Sequence, residues 1–202
     1  MNQRYIIIEG GIGAGKTTLL KELEKHYKYS TVLFEYIETA FGKMMLKKFF
    51  AHEITTSTFQ YYILNYWLNE LEKVRKHNIV FMERGPLAGL AFCNEKDFGS
   101  HEYESFLNYM ITIMNNFNIG NLKFMVLNSP VDVNEVIKII NSCNDNLVLF
   151  ICANVETLID HIKQRAREGE TENYSGEFLN KNANELYNIY QYPVPKIKSL
   201  LK

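Results

Sequence analysis

Cysteine and proline are scarce in this chain, and its charges nearly cancel. Cys93, Cys143 and Cys152 are an odd number of thiols with no C-x-x-C pair and no zinc-ligand spacing. That argues against a disulfide framework or a structural zinc site, and the three are expected to be reduced and partly buried. Lys and Arg number 22 against 23 Asp and Glu, for a net charge of −1. The broad electrostatic attraction that nucleic-acid and anionic-membrane binders rely on is therefore missing, although a local basic cluster can still hold a small anion. No nucleic-acid or membrane partner is expected. No apolar run approaches the roughly 18 residues of a spanning helix, and the first residues show no charged leader ahead of an apolar stretch. The expectation is a soluble cytoplasmic protein. The four prolines, Pro86, Pro130, Pro193 and Pro195, fall where elements start or end, and no repeat or low-complexity linker interrupts the chain. With 202 residues, 47% of them apolar, one domain spanning 1–202 around a continuous core is expected.

What is present is a regular exchange of two periodicities. Short β-branched and aromatic runs at 5–9, 31–37, 79–82, 122–127 and 147–152 read as strands. Helical spacing runs through 17–27, 44–50, 59–77, 102–117, 133–140, 155–165 and 178–189. Strands that are apolar throughout and alternate with helices predict an α/β fold, a parallel sheet flanked by helices on both faces.

Between the first strand and the first helix stands Gly10-Gly11-Ile12-Gly13-Ala14-Gly15-Lys16-Thr17, which satisfies G-x-x-x-x-G-K-[ST]. Glycines permit the positive φ values that turn successive N–H groups toward one anion, and the helix N-terminus adds partial positive charge. Lys16 can neutralise β and γ phosphates, and Thr17 offers a hydroxyl to Mg²⁺. ATP or GTP binding follows. The motif alone does not name the acceptor. Two other predicted strands end on acids, at Glu35 and at Glu83-Arg84, and strand ends of this kind face the ligand crevice of a parallel sheet.

The run 9–20, the Glu83-Arg84 pair and Ile162-Lys163-Gln164-Arg165-Ala166-Arg167 together resemble the deoxynucleoside kinase family, cellular and herpesvirus-type thymidine kinases included. The resemblance covers roughly 4–90 and 147–190. It implies a P-loop kinase fold in which ATP with Mg²⁺ sits on Gly10, Gly11, Ile12, Gly13, Ala14, Gly15, Lys16, Thr17 and Thr18. By the same resemblance Glu35 is the base toward a 5′-hydroxyl, Glu83 helps Thr17 hold the metal, and Arg84 contacts the hydroxyl and the transferred phosphate. A lid at about 163–172 brings Arg165 and Arg167 to the phosphates and Glu170 to the sugar. The family's Glu-Pro is replaced here by Glu35-Tyr36-Ile37-Glu38, so Glu38 competes for the role of base. Homodimerisation through the 102–117 helix is implied as well.

Phe59-Gln60 resembles the family's base-reading pair. The Gln60 amide offers one donor face and one acceptor face to a pyrimidine edge. Ile63, Leu64 and Trp67 follow on the same helical face, with Ile63 and Trp67 as pocket residues and Leu64 as core. Where relatives that favour deoxycytidine and purines carry arginine and aspartate, this chain has Trp67 and Gly89, which points to thymidine or pyrimidine deoxynucleosides. Two features depart from the family. Phe49-Phe50 stands where a tyrosine meets the 3′-hydroxyl, leaving Tyr61 or Tyr62 as substitutes, and no last strand follows Tyr190 while an extra strand and helix occupy 122–140. The expected activity is 5′-phosphorylation of a deoxynucleoside by ATP. The alternatives are a thymidylate-type nucleoside-monophosphate kinase and a nucleotide-binding module without turnover.

Overall fold

The computed structural model describes residues 3–165, 174–193 and 195–198. Five strands form one sheet in the order β2-β3-β1-β5-β4: β1 Arg4–Gly10, β2 Ser30–Leu33, β3 Ile79–Glu83, β4 Lys123–Asn128 and β5 Leu147–Cys152. Every pairing is parallel. The helices are α1 Lys16–His26, α2 Ala40–Phe50, α3 Thr56–Lys73, α4 Ser100–Asn116, α5 Val133–Ser142, α6 Val155–Arg165, α7 Gly176–Gln191 and the short α8 Pro195–Lys198. None of the described helices is long and apolar enough to cross a membrane.

The period of two along β1 separates two cores. Tyr5 and Ile7 join Trp67 and Leu71 of α3 and Phe106 and Met110 of α4 on one face. Ile6 and Ile8 join Leu20 and Leu23 of α1, Val136 and Ile140 of α5 and Leu158 of α6 on the other. Central strands buried on both sides have no polar alternation to show, which is why they read as unbroken apolar runs. The ladder ends where the chemistry begins, because parallel β1 and β3 both deliver their C-terminal residues to the same end of the sheet.

Two expectations need correction. The strand placed at 31–37 ends at Leu33, whose register partner is Met82. Tyr36–Glu38 instead forms a 3-10 turn that buries Ile37 against Leu46 and Phe59. An aromatic and β-branched run carries no signal that separates strand from a turn packing on a neighbouring helix. Cys152, expected partly buried, is exposed, whereas Cys93 is buried and Cys143 lies between, all three as free thiols. The extra pattern at 122–140 proves to be β4 and α5. They precede β5 in the chain, yet β4 takes the sheet edge outside it, in a five-stranded sheet that has no strand after Tyr190 among the described residues.

Candidate active site

The phosphate loop needs glycine where it packs. Gly10 has φ 141° and Gly13 φ 87°, and a Cβ on either would lie 2.7 Å from a backbone oxygen, of Ile151 and Leu158 respectively. α6 thus presses directly on the loop, and His161 Nδ1 sits 2.7 Å from the Gly13 carbonyl oxygen. Since a carbonyl only accepts, Nδ1 carries the proton there. Lys16 is buried, its ammonium donating to the carbonyls of Gly11 at 3.1 Å and Gly10 at 3.5 Å. Burial first, and then the Arg84 charge, lower its pKa to about 8 against the pull of Glu35, Glu83 and Glu9.

Beside Lys16 the ends of β1 and β3 and the segment after β2 gather three acids around one arginine. Arg84 Nε donates to Glu35 Oε1 at 2.7 Å, and Arg84 Nη1 lies 3.4 Å from Glu9 Oε2. Arg84 has φ 64°, a conformation that costs a residue with a Cβ about 1–2 kcal/mol. It is held by its amide bond to the Ile8 carbonyl at 3.0 Å and by the carboxylates around its head. Burial alone would lower the guanidinium pKa, but Glu35, Glu9 and Glu83 outweigh it and raise it. The Arg84 head also lies over the Phe92 ring, 5.5 Å from its centre. Thr17 Oγ1 donates to Glu83 Oε1 at 2.5 Å, while buried Glu83 Oε2 has no partner. Burial, reinforced by Glu35, pushes the Glu83 carboxyl up against Lys16, Thr17 and Arg84. An unpartnered buried carboxylate oxygen beside a hydroxyl suits a hard divalent cation such as Mg²⁺.

These groups open into a cavity of about 580 Å³ lined by Ile12, Lys16, Glu35, Arg84, Gln60, Ile63, Trp67 and Arg165 among others. Phe49, Phe50, Phe59, Ile63 and Trp67 line it as well, with Gly89 set against Gln60. Gln60 is 2% exposed and its Oε1 has no partner. That oxygen lies 2.8 Å from where a Cβ on residue 89 would stand, so glycine leaves the amide its room.

Of the residues singled out in the sequence, the fold brings Lys16, Glu35, Gln60, Ile63, Trp67, Arg84 and Arg165 to this one crevice, with the Thr17–Glu83 pair beside Lys16 and Arg84. Glu38 is exposed and lies outside the cavity lining, as does exposed Thr18 on the first turn of α1. Leu64 lies in the core. Phe49 and Phe50 line the cavity, whereas Tyr61 donates to the Glu102 carbonyl at the surface at 3.4 Å. The tyrosines that do line the cavity are Tyr36, Tyr103 and Tyr174. Arg167 and Glu170, with most of the expected lid, lie outside the described residues. The sequence reading missed Asn182, which is 2% exposed and donates to the Ala91 carbonyl at 3.3 Å while its Oδ1 has no partner. An amide in the apolar stripe of Leu179, Leu186 and Tyr190 was its signal. It missed Glu9 and Tyr190 as well, and there the signal was a carboxylate closing a fully apolar strand.

A parallel α/β sheet whose first strand delivers this glycine loop, a buried lysine and a threonine-carboxylate pair defines a P-loop nucleotide-binding protein. The family model described as an AAA domain matches residues 5–113, more than half of the chain, and the chain belongs to that family. No curated protein matches its sequence. Among solved structures it is similar to deoxyadenosine kinase from M. mycoides. With products dCMP and a flexible dCDP bound, that structure gives a TM-score of 0.62 at 18% identity, covering 95% of this chain and 87% of the other. With bound dATP the values are 0.59 and 19%, covering 94% and 86%. The fold is therefore that of a P-loop kinase of the deoxynucleoside kinase type, as the sequence resemblance led one to expect.

Proposed function

We propose that the protein transfers the γ-phosphoryl group of ATP to the 5′-hydroxyl of a deoxynucleoside, with thymidine or another pyrimidine deoxynucleoside as acceptor. One observation carries this reading: the Glu35 carboxylate, paired to Arg84 at 2.7 Å, lines the same cavity as Lys16 and Gln60. A carboxylate at that place suits an alcohol, whose proton must go somewhere. It repels an acceptor that is already a phosphate, which sets the monophosphate-kinase alternative behind.

In the reaction, Glu35 takes the proton of the 5′-hydroxyl as its oxygen bonds to the γ-phosphorus and the bond to the β-phosphate oxygen breaks, releasing ADP. Lys16 and Arg84 stabilise charge on the transferring group. Thr17 and Glu83 would hold Mg²⁺, which when bound supplies positive charge to the phosphate oxygens. Gln60 pairs with the base edge, and Trp67 on the cavity wall and Gly89 against the Gln60 amide, where relatives that favour deoxycytidine and purines carry arginine and aspartate, favour a pyrimidine. Arg165, at the end of α6, lines the cavity, and the resemblance alone assigns Arg167 to the phosphates and Glu170 to the sugar. The same reading takes residues 1–202 as one domain, working in the cytoplasm as a homodimer paired through α4.

A radiolabelled ATP assay against the four deoxynucleosides and thymidine monophosphate tests it. Labelled nucleoside monophosphate, formed fastest from a pyrimidine nucleoside, is expected. Label on thymidine monophosphate alone would make the protein a monophosphate kinase, and no transfer to any acceptor would make it a binding module.

A further inference from the structure

The buried carboxylate of Glu9 has no part in the mechanism above, yet it is the most completely enclosed acid among the described residues. It is 0% exposed at the end of β1, next to the first glycine of the phosphate loop. Its Oε1 accepts from the Gly85 amide at 3.0 Å and from the Tyr190 hydroxyl at 2.9 Å, and its Oε2 faces Arg84 Nη1 at 3.4 Å. Tyr190 comes from α7, 181 residues away in the chain, with its ring in the core and stacked on Phe124 at 5.7 Å. A carboxylate in such a place is disfavoured unless several donors surround it. Here one donor is the amide that directly follows Arg84, and another is the far side of the Arg84 guanidinium itself.

We propose that Glu9, pinned by Tyr190, is a positioning residue that holds Arg84 in its left-handed conformation with Nε aimed at Glu35. This rests on the kinase reading above. Arg84 is gripped at both ends by one acid: its backbone through the Gly85 amide, its head through Nη1. The opposite edge of the head is thereby left to the base and the reacting oxygens. The charged and titratable groups facing Glu9 are Arg84, Tyr190 and Lys16. Burial raises the Glu9 carboxyl, and Arg84, Tyr190, Gly85 and Lys16 pull it back. α7 therefore sets the arginine of the active site through Tyr190, which is not among the residues lining the cavity.

The test uses the full chain with Glu9→Gln and Tyr190→Phe. Glutamine still accepts from Gly85 and Tyr190 but presents a neutral amide to Arg84, and phenylalanine removes only the hydroxyl. Both variants are checked by thermal melting, then assayed with ATP and the best deoxynucleoside. Glu9→Gln is expected to lower kcat about ten-fold or more with both KM values within about two-fold, since the lost contact is to a charged group. Tyr190→Phe should do the same to a smaller extent. The second readout needs no turnover: the ¹⁵Nε signal of Arg84, identified by its disappearance in Arg84→Lys, is expected to shift and exchange faster in both variants. Unchanged kcat in the folded Glu9→Gln protein, or an Arg84 signal identical to wild type, overturns the proposal. Should Glu9→Gln not fold, Tyr190→Phe decides by the same two criteria. If the wild type phosphorylates no nucleoside, the kinase reading falls and the Arg84 signal alone decides the positioning role.

Discussion

Arg84 Nε and Glu35 Oε1 lie 2.7 Å apart, joining the end of β3 to the segment that follows β2. The pair fixes the carboxylate on the cavity wall, where an acceptor hydroxyl would meet it. Glu35→Gln preserves shape and removes the base. Its kcat is expected to fall about 10²–10⁴-fold, with nucleoside affinity within a few-fold of wild type by calorimetry. Glu38→Gln, on the exposed face of the 3-10 turn, should leave turnover unchanged.

Lys16 gives the site a pH dependence. Its pKa is lowered from 10.5 to about 8, first by burial and then by Arg84. Between these values the folded chain holds fewer protons on Lys16 than the unfolded one. This group's contribution to stability therefore grows as pH rises from about 8 to 10.5 and is least favourable below 8. Nucleotide binding works in the opposite sense, because polyphosphate favours the ammonium. ATP affinity should weaken as pH rises through about 8, with proton uptake on binding. Calorimetry at pH 8.5 in buffers of different ionisation heat checks this, and Lys16→Ala should abolish phosphoryl transfer.

Gly89 and Gln60 line the cavity as a fitted pair. A methyl group at residue 89 would approach Gln60 Oε1 to 2.8 Å, forcing the amide out of position. Gly89→Ala is expected to raise the nucleoside KM about ten-fold with little change in kcat, the pattern of lost ground-state binding. Gln60→Ala should do the same. The double variant should be no worse than the poorer single one, because both act on one amide.

Gly42 is the point where the first turn of α2 meets the 3-10 turn. A Cβ there would stand 1.9 Å from the Tyr36 carbonyl oxygen and 2.9 Å from Thr39 Oγ1, the cap of that helix. Backbone must move to admit it. Gly42→Ala is expected to destabilise the fold by about 3 kcal/mol or more, measured by urea unfolding, and to lower turnover through displacement of Glu35.

Most elements were legible because their signals are local. The helix starting at Thr56 was read from 59 onward, since its apolar stripe begins at Phe59 while its start is set by Thr55, whose side chain accepts from the Thr58 amide. Capping residues carry no hydrophobic period, so a pattern reading finds the body of a helix before its end. The 31–37 run was misjudged for a related reason, as Tyr36 and Ile37 are apolar toward α2 and α3 and not toward the sheet. Asn182 went unread because an amide in an apolar stripe is informative only once its burial is known.

Contiguous residues decided the alternation of strand and helix, the phosphate loop with Lys16 and Thr17, and the acids closing two strands. Each depends on neighbours within a few residues, and a short stretch of chain contains all the physics involved. Which glutamate turns inward, the seating of β5 between β1 and β4, and the bond from Tyr190 to Glu9 across 181 residues were decided only when the sheet closed. Those outcomes follow from burial and from charges finding partners across long separations, and no local period encodes them.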